Sequence, residues 1–126
     1  MREILFRGKD DVNGKWVTGF LVDGKHIGNW VEANPVIPET VGQFTGKVDK
    51  NGKKVFEHDI LQTFTVWADG TVEKCGVGIV QWWENDQCYV CTTKQGYHID
   101  DFGNYGRPEY YEVIGNIHDD PEFLEG

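Results

Sequence analysis

Glu57-His58-Asp59 places three side chains able to ligate a metal or move a proton in consecutive positions. In an extended strand Glu57 and Asp59 point to one face and His58 to the other. The three therefore cannot grip one ion unless the backbone turns sharply there. Asp59 reads instead as an acceptor for backbone amides at the start of a strand, the usual work of Asp in turns. Cys88-Tyr89-Val90-Cys91, with Cys75 and His98, has the ligand types of a zinc site. The two residues between the cysteines are strand formers, however, and positions i and i+3 on a strand face opposite ways. No helix N-terminus stands ready to acidify a thiol, so the cysteines read as structural, buried or half-buried side chains.

Other chemistries fall away by composition and spacing. The 126 residues contain no serine, which excludes every serine-nucleophile mechanism. Gly42-Gln-Phe-Thr-Gly46-Lys47 has its glycines one residue too close for a phosphate loop, and Val48 stands where Ser or Thr would hold magnesium. Aligning Asp11 with Asn13, or Asp49 with Asn51, on a calcium loop puts Lys9 or Lys47 at its first position. Pairing a cysteine with His98 or His118 has no support in spacing, and His118 lies in an acidic run beside Asp119 and Asp120. Asp100-Asp101 and the pair Glu84 and Asp86 read as surface charge. No catalytic residue, metal or cofactor is expected.

Trp82-Trp83 is the remaining feature with chemical content. Adjacent strand residues face opposite sides, so one ring can enter a core while the other stands outward beside Glu84 and Asp86. An outward Trp is a candidate anchor for a protein interface, and Trp67 is a third candidate. Charge points the same way. Met1 to Val66 carry 9 basic and 9 acidic residues, whereas Trp67 to Gly126 carry 3 basic and 12 acidic, so the second half holds the whole net charge of -9. A field of that sign repels phosphates and disfavours nucleic acid. The counter-feature is Lys47, Lys50, Lys53 and Lys54, a small basic cluster on one hairpin.

The elements that must position these residues are short strands separated by glycine turns. Trp16 to Leu21, Ile60 to Trp67, Val77 to Trp83, Cys88 to Thr93 and Tyr110 to Gly115 are rich in aromatic and β-branched residues. Between strands the chain has Asp-x-Asn-Gly-Lys twice (Asp11 to Lys15, Asp49 to Lys53), then Asp23-Gly24 and Asp69-Gly70. Such turns supply the positive φ that tight reversals demand. Gly46, Asp49, Asn51, Gly52, Glu57 and Asp59 are the expected structural turn residues. Helix is confined to single turns at Pro38 to Val41 and after Asp120, where Pro121 suits a first helical position. No apolar run approaches the roughly 20 residues that span a bilayer, no apolar leader is evident, and three cysteines suit a reducing compartment. A cytoplasmic location is expected.

Three blocks in order carry a family resemblance. They are Arg2-Glu3-Ile4-Leu5-Phe6-Arg7, then Glu39 to Leu61, then Tyr111-Glu112-Val113-Ile114-Gly115-Asn116-Ile117 followed by Asp120-Pro121-Glu122-Phe123-Leu124. Together they span nearly the whole chain, which resembles the YopX-like proteins of bacteriophages and prophages. The resemblance implies an SH3-like small β-barrel with an N-terminal β subdomain packed beside it. It also implies a phage or prophage origin within a bacterial host, and brings no established activity or catalytic residue. The chain departs from the family pattern at His58, where relatives usually have Gly, so a left-handed backbone there would strain His.

The expected molecule is a single mainly β domain. Residues 1–58 form an N-terminal hairpin subdomain, and residues 59–126 the SH3-like barrel and a tail ending in a short helical turn. Its expected role is a non-enzymatic protein-interaction module contacting a host or phage protein, one of basic character given the acidic half, through Trp67, Trp82, Trp83, Glu84 and Asp86. Weak nucleic-acid binding through the Lys47 to Lys54 hairpin and a metal-dependent hydrolase built on Glu57, Asp59 and a histidine are the alternatives. Exposed strand edges leave self-association open.

Overall fold

The computed structural model describes residues 4–23, 26–28, 33–84, 87–93, 98–100 and 110–124. Its strands are β1 (Phe6–Lys9), β2 (Trp16–Asp23), β3 (His26–Gly28), β4 (Ala33–Pro35), β5 (Gly42–Val48), β6 (Lys54–Phe56), β7 (Asp59–Val66), β8 (Val72–Trp83), β9 (Cys88–Thr92), β10 (His98–Asp100) and β11 (Tyr111–Asn116). Short 3₁₀ turns occupy Pro38–Thr40 and Pro121–Leu124. All the strand pairings are antiparallel, as expected of a chain that reverses at Asx-Gly turns.

The strands form two sheets, a six-stranded one in the order β4-β3-β2-β1-β5-β6 and a five-stranded one in the order β10-β9-β8-β7-β11. The chain passes from the first to the second across Glu57 and His58, between β6 and β7. The expected SH3-like barrel is not seen. Among the described residues β10 and β11 are both edges of the second sheet, and no ladder closes it. β7 and β11 slip register between Val113 and Gly115, and β7 and β8 between Gln62 and Phe64. Such bulges bend strands without bringing these edges together.

One cluster of buried side chains joins the sheets. Val55 of β6 packs with Leu61, Val80, Tyr89, Cys91 and Tyr111 of the second sheet, with Tyr110 and Val113 against them. Fully burying an aliphatic side chain of this size contributes about 1.5–3 kcal/mol, so Val55 ties β6 to the second sheet. Cys88 and Cys91 are buried free thiols, as expected, but Cys75 is exposed, because β8 projects beyond the core at its N-terminal end. Asp120 precedes the closing 3₁₀ turn, but its carboxylate reaches back to accept from the Asn116 amide at 3.2 Å.

Candidate functional site

β1 and the corner between the sheets meet through a buried ion pair. Arg7 donates to Asp59 Oδ1 at 2.5 Å, and Asp59 Oδ2 accepts the Phe56 amide at 2.8 Å. Burial pushes the Asp59 carboxyl up, while the Arg7 charge and the Phe56 N–H pull it down. The guanidinium lies 4.6 Å from the Trp16 ring centroid and 4.8 Å from that of Phe56. Asp59 is thus a structural acceptor, though only one backbone amide reaches it and a cation 52 residues away in sequence does the rest. Glu57 turns elsewhere, its Oε1 accepting the Gln43 amide at 3.0 Å. The three residues are not in an extended strand, because His58 has φ 75°. His58 is therefore left-handed, at the expense of some backbone strain.

His58 is held there from both sides. Its amide donates to Val80 O at 2.9 Å and its carbonyl accepts from the Ile117 amide at 3.1 Å. Its ring meets that of His118, with His58 Nδ1 and His118 Nε2 3.0 Å apart. His118, expected to be solvated, is half-buried and also lies 6.2 Å from the Trp16 ring. Trp16 Nε1 donates to Asp119 Oδ2 at 2.8 Å, Lys9 pairs with Asp119, and Asn116 Nδ2 donates to the same carboxylate at 3.0 Å. Burial lowers the pKa of both imidazoles. Arg7 adds to the fall at each, and at His118 so do His58 and Lys9. Asp119 is pulled down to about 2, its hydrogen bonds to Lys9, Trp16 and Asn116 outweighing the opposing effect of burial.

This cluster has a pH signature. Both histidines titrate lower in the folded than in the unfolded chain, so unfolding takes up protons below pH ~6.5. Their contribution is complete above that pH and is lost as pH falls towards the folded values. Denaturant midpoints measured from pH 8 to 5 should fall below about pH 6.5. His58→Gly should flatten the fall, since Gly adopts the positive φ freely. Superimposable profiles would show that the pair does not couple to folding.

The sequence-selected turn is built around Asp49, which is 2% exposed. Its Oδ1 accepts the Asn51 and Lys53 amides, each at 2.9 Å, closing the β5–β6 reversal where Gly52 has φ 80°. Its Oδ2 reaches the Val113 amide of β11 at 2.9 Å. Burial raises the Asp49 pKa, but the bonds from Val113, Lys53 and Asn51 prevail and the net shift is downward. Asn51 Nδ2 donates to Glu112 at 3.3 Å. Gly46 has φ 88° within β5, between Phe44 and Val48, where the β5–β6 pairing shifts register. In the lysine hairpin, Lys50 Nζ lies 4.5 Å from the Phe64 ring and Lys54 Nζ 5.1 Å from that of Phe44. Two of the four cations thus lie over the protein's own aromatic faces.

The tryptophans fall in different settings. Trp67, at the tip of the β7–β8 hairpin, is 53% exposed, and Trp82 is 40% exposed. Trp83 is half-buried. Trp82 lies opposite Tyr89, two residues beyond the Val80–Cys91 pair, so it continues the core-facing side of β8 past the core's margin. Its ring meets Tyr89 edge-on at 5.0 Å, and its Nε1 donates to Glu84 Oε2 at 2.8 Å. Beside it opens a cavity of about 260 Å³ lined by Gln43, Glu57, Trp82 and Tyr89, where the two sheets meet. Asp86 lies outside the described residues, as does Asp101; the side chains of His98 and Asp100 are likewise not described. In the sequence Glu57 has the marks of a turn residue or metal ligand, and no local pattern brings it to Trp82. Nor does any local pattern pair His58 with His118, 60 residues apart.

Among the described residues no three His, Cys, Asp or Glu side chains converge as a metal site. The fold and this margin define a two-sheet, mainly β protein with a shared core and an exposed aromatic and acidic rim. The chain matches the family described as YopX protein over residues 5–125 and belongs to it. Protein EF1440 from Enterococcus faecalis, known from a crystal structure, has a similar fold, with a TM-score of 0.57 at 21% identity, covering 99% of this chain and 100% of that one. No curated protein matches the chain.

Proposed function

We propose that the protein is a non-enzymatic interaction module, encoded by a phage or prophage and acting in the cytoplasm of the bacterial host on a host or phage protein. The observation that carries this reading is Trp82, a large ring 40% exposed on a regular strand at the margin of a packed core. Rigid aromatic anchors of this kind dominate interface energetics. Glu84 fixes the indole through its N–H, which reduces the ordering entropy lost on binding. The excess of acidic residues after Trp67 would steer a basic partner, and Trp67 and Trp83 would add contact area. Membership of the YopX family supports the phage setting. Among the described residues no helix is long and apolar enough to cross a membrane.

Affinity capture from bacterial lysate, with and without nuclease, tests the reading. A discrete protein should be retained by the wild-type chain after nuclease treatment and lost from Trp82→Ala. Retention that vanishes with nuclease would replace the reading with nucleic-acid binding through the Lys47 to Lys54 hairpin.

A further inference from the structure

The cavity beside Trp82 has a more specific chemistry than a general contact surface. At about 260 Å³ it falls just below the range of roughly 300–1,000 Å³ that houses whole small-molecule ligands, and it suits a single long side chain. Its lining is two aromatic rings, one amide and one carboxylate. One Glu57 oxygen is occupied by the Gln43 amide, and the other has no partner among the described residues. The nearby Arg7 charge does not neutralise Glu57, because the guanidinium is paired with Asp59. Trp82 donates its N–H to the Glu84 carboxylate, which enriches the indole face in electron density. An electron-rich ring beside a carboxylate is the arrangement that attracts an organic cation.

The site is also held in shape. At Gly42, the first residue of β5, an added Cβ would stand 3.0 Å from the Glu57 carbonyl oxygen and 3.2 Å from its Cβ. The absence of a side chain there lets β5 and the corner close together and fixes Glu57 at the cavity edge. Tyr89, 5% exposed and part of the shared core, lines the cavity edge-on to Trp82.

We infer that this cavity receives the cationic side chain, lysine or arginine, of a basic segment on the partner protein, held between Trp82 and the Glu57 carboxylate. The inference rests on the interaction-module reading and names the chemistry its partner must present. Charge complementarity selects this occupant, since among the described residues the lining carries an anion and no cation and the chain's net charge is -9.

The test is a titration of the ¹⁵N-labelled protein, following the indole N–H resonance of Trp82, assigned by its disappearance in Trp82→Phe. The probes are the Nα-acetyl methylamides of lysine, arginine and norleucine. Saturable shifts with lysine or arginine, and binding of uncharged norleucine weaker by about tenfold or more, are expected. The stronger of the two cations identifies the partner's residue. Glu57→Gln keeps the acceptor for the Gln43 amide and should weaken the cation probes by a similar factor. An equal response to norleucine, no saturable shift, or unchanged binding in Glu57→Gln would overturn the inference. Partner capture that needs Trp82 but not Glu57 would leave the interaction reading standing while this inference fell. Cation binding without Trp82-dependent capture would overturn both, leaving a cation pocket with no partner to fill it.

Discussion

Asp49→Ala should destabilise the protein by about 3–5 kcal/mol, lowering the thermal midpoint by about 10 °C or more. The carboxylate is 2% exposed and accepts three backbone amides, two within its own turn and one from β11. Hydrogen bonds to a charged group contribute about 1.5–3 kcal/mol each, and amides left buried without a partner incur a desolvation penalty. Because the three share one side chain their losses do not simply add. Asp49→Asn separates the turn from the tether. Its single carbonyl oxygen can serve Asn51 and Lys53, but its NH₂ group then faces the Val113 N–H, so β11 loses its link. An intermediate loss is expected, about half that of Ala. Urea unfolding checks both, and a loss under about 1 kcal/mol for Ala would show that water replaces the carboxylate at all three amides.

The second large effect is at the corner. Arg7→Met should remove about 3–5 kcal/mol, because it leaves the Asp59 carboxylate, 1% exposed, without its counter-charge. It also removes the cation stacked against Trp16 and Phe56. The double variant Arg7→Met/Asp59→Leu should be more stable than Arg7→Met alone, since removing both charges spares the desolvation that a lone one suffers. A double-mutant cycle read by urea unfolding gives the coupling directly. Additive losses would mean that the two groups act independently despite their 2.5 Å separation.

Both predictions concern contacts between segments far apart in the chain, and that is where legibility in the sequence ends. The strands were legible because their signals are local. Aromatic and β-branched runs between turn signals placed β2, β7, β9 and β11 within two residues of their observed bounds, whereas β8 begins at Val72, five residues before the expected Val77. Asp49 was legible as a turn residue for the same reason, yet its second oxygen, committed to Val113, was not, since no local pattern reports a partner 64 residues on. Arg7 and Asp59 each lay in a block that carries the family resemblance, but the blocks gave no register between them. The second sheet was expected to close as a barrel. Counting strands does not fix closure, which depends on shear and bulge positions that sequence pattern does not encode.

The candidate site was legible in part. Period-two alternation separates the two faces at Trp82-Trp83, but not which face continues a core. Trp82 lies on the core-facing side and is still 40% exposed, beside the open cavity it shares with Gln43, Glu57 and Tyr89. Trp83, on the opposite side, is half-buried. Glu57 reaches the same margin only because the chain turns at His58 instead of extending. The sequence marked His58 as a boundary between the two halves, but not as a left-handed corner.

Whether the Trp82 margin binds a protein is decided by calorimetric titration of the captured partner, once purified, into the wild-type chain and Trp82→Ala. Truncating a hot-spot Trp removes about 2 kcal/mol or more, so the affinity should fall by at least about tenfold while the thermal midpoint of the half-exposed position changes little. Equal affinities for the two proteins would contradict the account and move the interface away from this edge of the fold.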